Sequence, residues 1–104
     1  MENNWKLQLR YGKLQTAFKH RTLLAEGVAN EMKEGFLCRP GPAFMGIKVW
    51  ISSDEEAAEI IQSIGTKIGF EVTGDIQIFD TEPLQPPQDK PYGYDINFTP
   101  FEKI

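Results

Sequence analysis

A chain of 104 residues, 40% apolar and 12% aromatic, has the size of one domain, here 1–104, and can bury a core without staples. A quarter of its residues are charged, which is ordinary for a folded protein, and one cysteine excludes an intramolecular disulfide. The formal net charge of −4 conceals an asymmetry: Trp5 to Leu24 holds five bases and no acid, whereas Ile51 to Asp89 holds nine acids and one base, Lys67. A duplex binder needs several phosphate contacts from one surface, and the acidic total argues against nucleic acid as a partner. The start, MENNWKLQLRYGK, has no apolar run, and no stretch approaches 18 apolar residues. Neither a signal peptide nor a membrane span is expected, and the expected compartment is the cytoplasm.

Trp5, Leu7, Leu9 and Tyr11 alternate with Lys6, Gln8 and Arg10, a period of two that predicts a half-buried first strand. The stretch FKHRTLLAEGV predicts a second strand within Ala17 to Val28. Its alternation is imperfect, which implies either a bulge or a strand covered on both faces. Arg39-Pro40-Gly41-Pro42 is breaker chemistry that leads into a third strand, where Met45, Ile47, Val49 and Ile51 alternate with Gly46, Lys48 and Trp50. A glycine there marks a bulge or the close approach of another group.

Ser52-Ser53-Asp54-Glu55-Glu56 opens a helix: Ser53 and Glu56 have capping-box spacing, and the acids favour the positive end of the helix dipole. Ala57, Ile60, Ile61, Ile64 and Ile68 follow at helical spacing, and Gly69 suits the left-handed position after the last turn. Val72, Gly74, Ile76 and Ile78 predict a fourth strand. TEPLQPPQDKPYG, with four prolines, is an extended loop, and Tyr94, Ile96 and Phe98 predict a fifth strand that Pro100 ends. The fold class expected is α+β: a five-stranded, mixed but mostly antiparallel sheet (β-β-β-α-β-β) with one helix on one face. Strands three and four would be parallel neighbours joined by a crossover. The core would include Leu7, Leu9, Ile47, Val49, Ile60, Ile61, Ile64, Ile76, Ile78, Ile96 and Phe98.

The signal for chemistry is close to nil. A nucleophilic Cys38 would need a base, and His20 is the only histidine, with no third group signalled to orient it. Asp54, Glu55, Glu56 and Glu59 are explained by helix capping, one His and one Cys do not make a metal site, and no glycine-rich phosphate cradle precedes the helix. The expectation is no catalytic residue, no metal and no cofactor. Surface recognition remains, and His20, Arg39, Tyr92 and Asp95 are the candidate partner- or ligand-binding residues.

CRPGPAFMGIKVW, SSDEEAAEIIQSIG and PYGYDINFTPF together resemble a small bacterial family encoded on integron and other mobile gene cassettes, over Tyr11 to Phe101. The resemblance implies a compact α+β protein of undefined function and brings no site residues with it. Cassette-borne genes serve adaptation or defence, which favours a binding role. The function expected is therefore a non-catalytic interaction module, its partner a protein or a small molecule. The alternative is a small enzyme using Cys38 with His20.

One helix is about 10 Å wide and cannot cover a five-stranded sheet of about 20 Å. Apolar residues nevertheless fall on both sides: Phe44 and Trp50 oppose Ile47 and Val49, and Phe79 opposes Ile78. The Pro-rich loop and the 30–42 segment could cover the remainder in a monomer. A homodimer formed by a sheet face or edge outside the helix-covered region is the favoured expectation.

Overall fold

The computed structural model describes residues 4–12 and 14–102. Its elements in chain order are helix α1 (Trp5–Arg10), strand β1 (Lys19–Ala29), strand β2 (Gly41–Ile51), helix α2 (Asp54–Ile68), strand β3 (Phe70–Asp80) and strand β4 (Tyr92–Pro100). The class is α+β, but the sheet has four strands rather than five, in the order β3-β1-β2-β4. Every pairing is antiparallel, so the sheet is not mixed. β2 and β3 do run in the same direction, but β1 lies between them, and the expected parallel pair does not form.

The missing strand is α1. Trp5, Leu7, Leu9 and Tyr11 were expected to pave a sheet face, yet Leu7 is 50% exposed and Leu9 only half-buried, so neither belongs to the core. Leu, Gln, Lys and Arg are good helix formers and none of them is β-branched. A seven-residue alternation also places Trp5 and Leu9 one helical turn apart, and here local propensity prevails over the period of two.

α2 forms as the sequence predicts. Ser53 is extended and its Oγ accepts the Glu56 N–H at 3.1 Å, while the Glu56 carboxylate accepts from the Ser52 N–H and hydroxyl at 2.7 and 3.0 Å. Gly69 closes the helix at φ 102°, its N–H bonded to the Gly65 carbonyl. Replacing Ser53 with alanine leaves the Glu56 amide without its cap, and a loss of about 0.5–2 kcal/mol is expected in urea denaturation.

Ala57, Ile61, Gly65 and Ile68 turn from α2 onto the sheet, where Leu23, Ala25, Met45, Ile47, Val49, Ile51 and Phe70 form the buried face. Ile60, Ile64, Ile76, Ile78, Ile96 and Phe98 pack around that centre half-buried, as its rim. The helix does not cover this face alone. Met32, Phe36 and Cys38, from the 30–40 connection, pack against the same core, and Phe36 meets Phe98 edge-on at 6.1 Å.

β1 keeps strict alternation from Leu23 to Ala29. The irregularity lies in its partner: between Ala25 and Gly27 of β1, β3 advances from Ile76 to Val72, a bulge that holds two extra residues and so keeps the faces in step. β4 behaves otherwise. Between Gly46 and Lys48 of β2 it advances from Asn97 to Tyr94, one residue more than its partner, with Asp95 at φ 58°. That single extra residue puts Tyr94 on the face opposite Ile96 and Phe98, whereas simple alternation had placed all three together.

Candidate functional site

The face turned away from α2 is best followed in cross-strand rows. His20 lies beside Trp50, and Trp50 beside Tyr92. The next row is Phe79, Thr22, Lys48 and Tyr94, and beyond it come Gln77, Leu24, Gly46 and Asn97. Glu26, Phe44 and Thr99 follow. The first two rows are where the 81–91 segment, which carries the chain from one edge strand to the other, folds down onto the sheet as a strap.

The strap is held by side chains from three strands. Trp50 Nε1 donates to the Gln85 carbonyl at 2.8 Å, and the Tyr92 hydroxyl donates to that of Pro86. The Tyr94 hydroxyl oxygen accepts from the backbone N–H groups of Leu84 and Gln85 at 2.9 and 3.2 Å. His20 sits beneath, 6% exposed, with Nδ1 3.0 Å from the Thr81 carbonyl and Nε2 2.7 Å from the Tyr94 hydroxyl. Thr22 and Thr81 join their hydroxyls at 2.8 Å. The rings also touch: His20 meets Trp50 edge-on at 5.1 Å, and Tyr92 stacks on Tyr94 at 5.8 Å. On the outer side α1 closes over the same end. Lys6, Leu9 and Arg10 face Glu82 and Pro83, and Leu9 shares a groove with Phe18 and Trp50.

These partners fix the state of the imidazole. Nδ1 faces both the Thr81 carbonyl and, at 3.1 Å, the Thr81 hydroxyl; a carbonyl can only accept, so the arrangement that satisfies both puts the hydrogen on Nδ1. The Tyr94 oxygen already accepts two amides, so its own proton goes to Nε2, which must then be the bare nitrogen. Burial lowers the His20 pKa below its usual 6.5, with nearby Lys48 and Arg21 acting in the same direction against the opposing Thr81 bond and Glu82. The unfolded chain therefore takes up the proton first as pH falls. Stability from this site is fully present above about pH 6.5 and is lost as pH drops below it, levelling off under the folded-state value.

Of the four residues expected to bind a partner, His20 and Tyr92 belong to this cluster. Asp95 lies one strand position from Tyr94 and pairs with Lys48 at 2.7 Å across the β4 bulge. Arg39 is not brought to them. It is exposed in the 30–40 connection, beside the end of the β1–β2 hairpin where Gly41 pairs with Ala29. Cys38 and His20 are equally separate. Cys38 packs on the α2 side of the sheet, while His20 is on the other face about 30 Å along β1, at about 3.3 Å per residue. No groups of three metal-ligating side chains gather among the described residues.

The residues that sequence reasoning did not join to His20 are Thr81, Trp50, Lys48 and Tyr94. The signal available was the Pro-rich segment itself, which needs hydrogen-bond partners for its carbonyls because it lies in no ladder. Gly46 does mark a close approach, since a Cβ there would lie 2.8 Å from Asn97 Oδ1. No family model matches the chain, and no curated protein or solved structure matches it either, so the resemblance to cassette-encoded proteins rests on the three quoted stretches alone.

Proposed function

We propose that this protein is a non-catalytic interaction module of the cytoplasm that works as a homodimer, its sheet face opposite α2 being the contact surface. The observation that carries this reading is the uneven cover of that face. The strap and α1 close over the His20 end, while Leu24 and Phe44 beyond it are only half-buried and Phe79 is 47% exposed. Lys48 on the inner strand β2 pairs with Asp95 on the outer strand β4, and Glu26 and Gln77 supply further polar groups among the apolar ones. A mixture of apolar and polar area is the composition of protein interfaces taken whole. Both outer strands, β3 and β4, also end the sheet with free edges.

The Thr81–Tyr94 network supports binding rather than turnover, because its polar atoms are committed to one another and to the strap. If the face is the contact, replacing Phe79 with aspartate turns an apolar contact into two repelling charges across a twofold axis. The expected product is a folded monomer, with an unchanged circular dichroism spectrum and a halved mass in size-exclusion chromatography with light scattering. A variant of undiminished mass would remove Phe79 and its row from the interface.

A further inference from the structure

We propose that the 81–91 strap is a proton-operated latch: a proton taken up at His20 Nε2 releases the strap's 84–86 segment from the sheet while the rest of the fold stays closed. The latch stands on the strap's own hydrogen bonds and is independent of the homodimer.

The argument is a count of donors at one oxygen. In the closed form the Tyr94 oxygen receives two N–H groups, from Leu84 and Gln85, and gives its single proton to Nε2. A phenol oxygen has no room for a third donor. Once Nε2 carries a hydrogen, three N–H groups converge on that oxygen, and its own proton has lost its acceptor. The imidazolium is held in place by Nδ1, which donates to the Thr81 carbonyl in both protonation states. The two strap amides are the groups that leave, because they belong to a segment in no strand; the Gln85 and Pro86 carbonyls then give up Trp50 Nε1 and the Tyr92 hydroxyl for water as the segment lifts. Leu84 is 58% exposed, so lifting it sacrifices little apolar burial.

The charges around the ring act in both directions. Lys48 on β2 and Arg21 on β1 oppose the imidazolium, and Glu82 in the strap favours it; from β4 the group facing the ring is the Tyr94 hydroxyl. Arg21 is engaged with Asp80 at 2.7 Å, and Lys6 and Arg10 of α1 lie across from Glu82. Glu82 is adjacent to Thr81, at the end of the strap that stays attached, so its attraction does not hold residues 84–86. Opening there uncovers Trp50, Tyr92 and Tyr94, three aromatic rings on the face that is already open further along.

Amide hydrogen exchange by NMR tests this directly. Between pH 7.5 and 5, protection factors at Leu84 and Gln85, corrected for the chemical exchange rate, should fall. The expected fall is about tenfold per pH unit below about 6.5, until the closed-form pKa is passed. Amides of β1 and β2 should hold their protection over the same range. His20→Gln carries no titrating group and can still place a donor and an acceptor between Thr81 and Tyr94, so its Leu84 and Gln85 protection should be flat with pH. If that variant does not fold, Tyr94→Phe serves: without the oxygen, both amides should be unprotected at every pH. A parallel loss in β1 and β2, an unchanged protection at Leu84 and Gln85, or a pH step that survives in either variant overturns the latch.

Discussion

Replacing Phe70 with alanine is expected to lower stability by about 3–5 kcal/mol, a large part of the about 5–15 kcal/mol that holds a domain of this size together. Phe70 is 1% exposed and opens β3 directly after the Gly69 turn, so its ring enters the space between α2 and the sheet. It packs against Phe98 at 5.6 Å. Two glycines make room for it: a Cβ at Gly27 would lie 2.7 Å from the ring, and one at Gly65 would lie 2.8 Å from the Phe70 carbonyl. Truncation leaves a cavity lined by strands and helix that cannot collapse together. Urea denaturation should show a midpoint shift with unchanged slope. A loss under 1 kcal/mol would mean that the ring does not fill the core.

Gly27→Ala separates two opposing effects by their sign. Strand propensity predicts a gain of about 0.5–1 kcal/mol when glycine inside a strand becomes alanine. Geometry predicts the reverse, because the added Cβ would lie 2.1 Å from the backbone carbonyl oxygen of Glu71 and beside the Phe70 ring. A backbone oxygen paired across β1 and β3 cannot swing away as a side chain can, so overpacking, at about 1–3 kcal/mol or more, should win. In a Phe70→Ala background the penalty should shrink without vanishing, since the ring is gone and the Glu71 carbonyl remains. The four denaturation curves of this double-mutant cycle measure it. A stabilised Gly27→Ala protein would contradict the β1–β3 register.

How legible each part was in the sequence follows from how local its cause is. α2 could be read to its ends because cap, acids, apolar stripe and terminal glycine lie within one 17-residue window, Ser53 to Gly69. β2 could be read because Met45, Ile47, Val49 and Ile51 recur at every second position, with Gly46, Lys48 and Trp50 between them. Trp5 to Tyr11 could not be read from its period, since so short an apolar alternation satisfies strand and helix alike and only the helix propensity of its Leu, Gln, Lys and Arg separates them. The β4 register was hidden for a different reason. Tyr94, Ile96 and Phe98 alternate faithfully in sequence, and only the positive φ at Asp95, a residue type that tolerates it, moves Tyr94 to the other face. The sheet order rests on pairings between distant segments, to which local patterning is blind.

The candidate site divides in the same way. His20, in the predicted second strand, and Tyr92 and Asp95, after the Pro-rich loop, are candidates from the sequence alone, and they gather at one end of the open face. What joins them is the Pro-rich strap, and its anchors Thr81, Leu84, Gln85 and Pro86 contribute mainly backbone atoms that no side-chain pattern betrays. Arg39 fell outside because a breaker-rich turn signals where a chain reverses, and not which end of the sheet it serves.

The uncovered half of the sheet face is the feature on which the proposed function depends, and sedimentation equilibrium at tens of micromolar protein tests it most directly. A homodimer predicts a mass of twice the 11.8 kDa chain at pH 7.5, falling to one chain for Phe79→Asp. A mass of 11.8 kDa for the unaltered protein across that concentration range would contradict it.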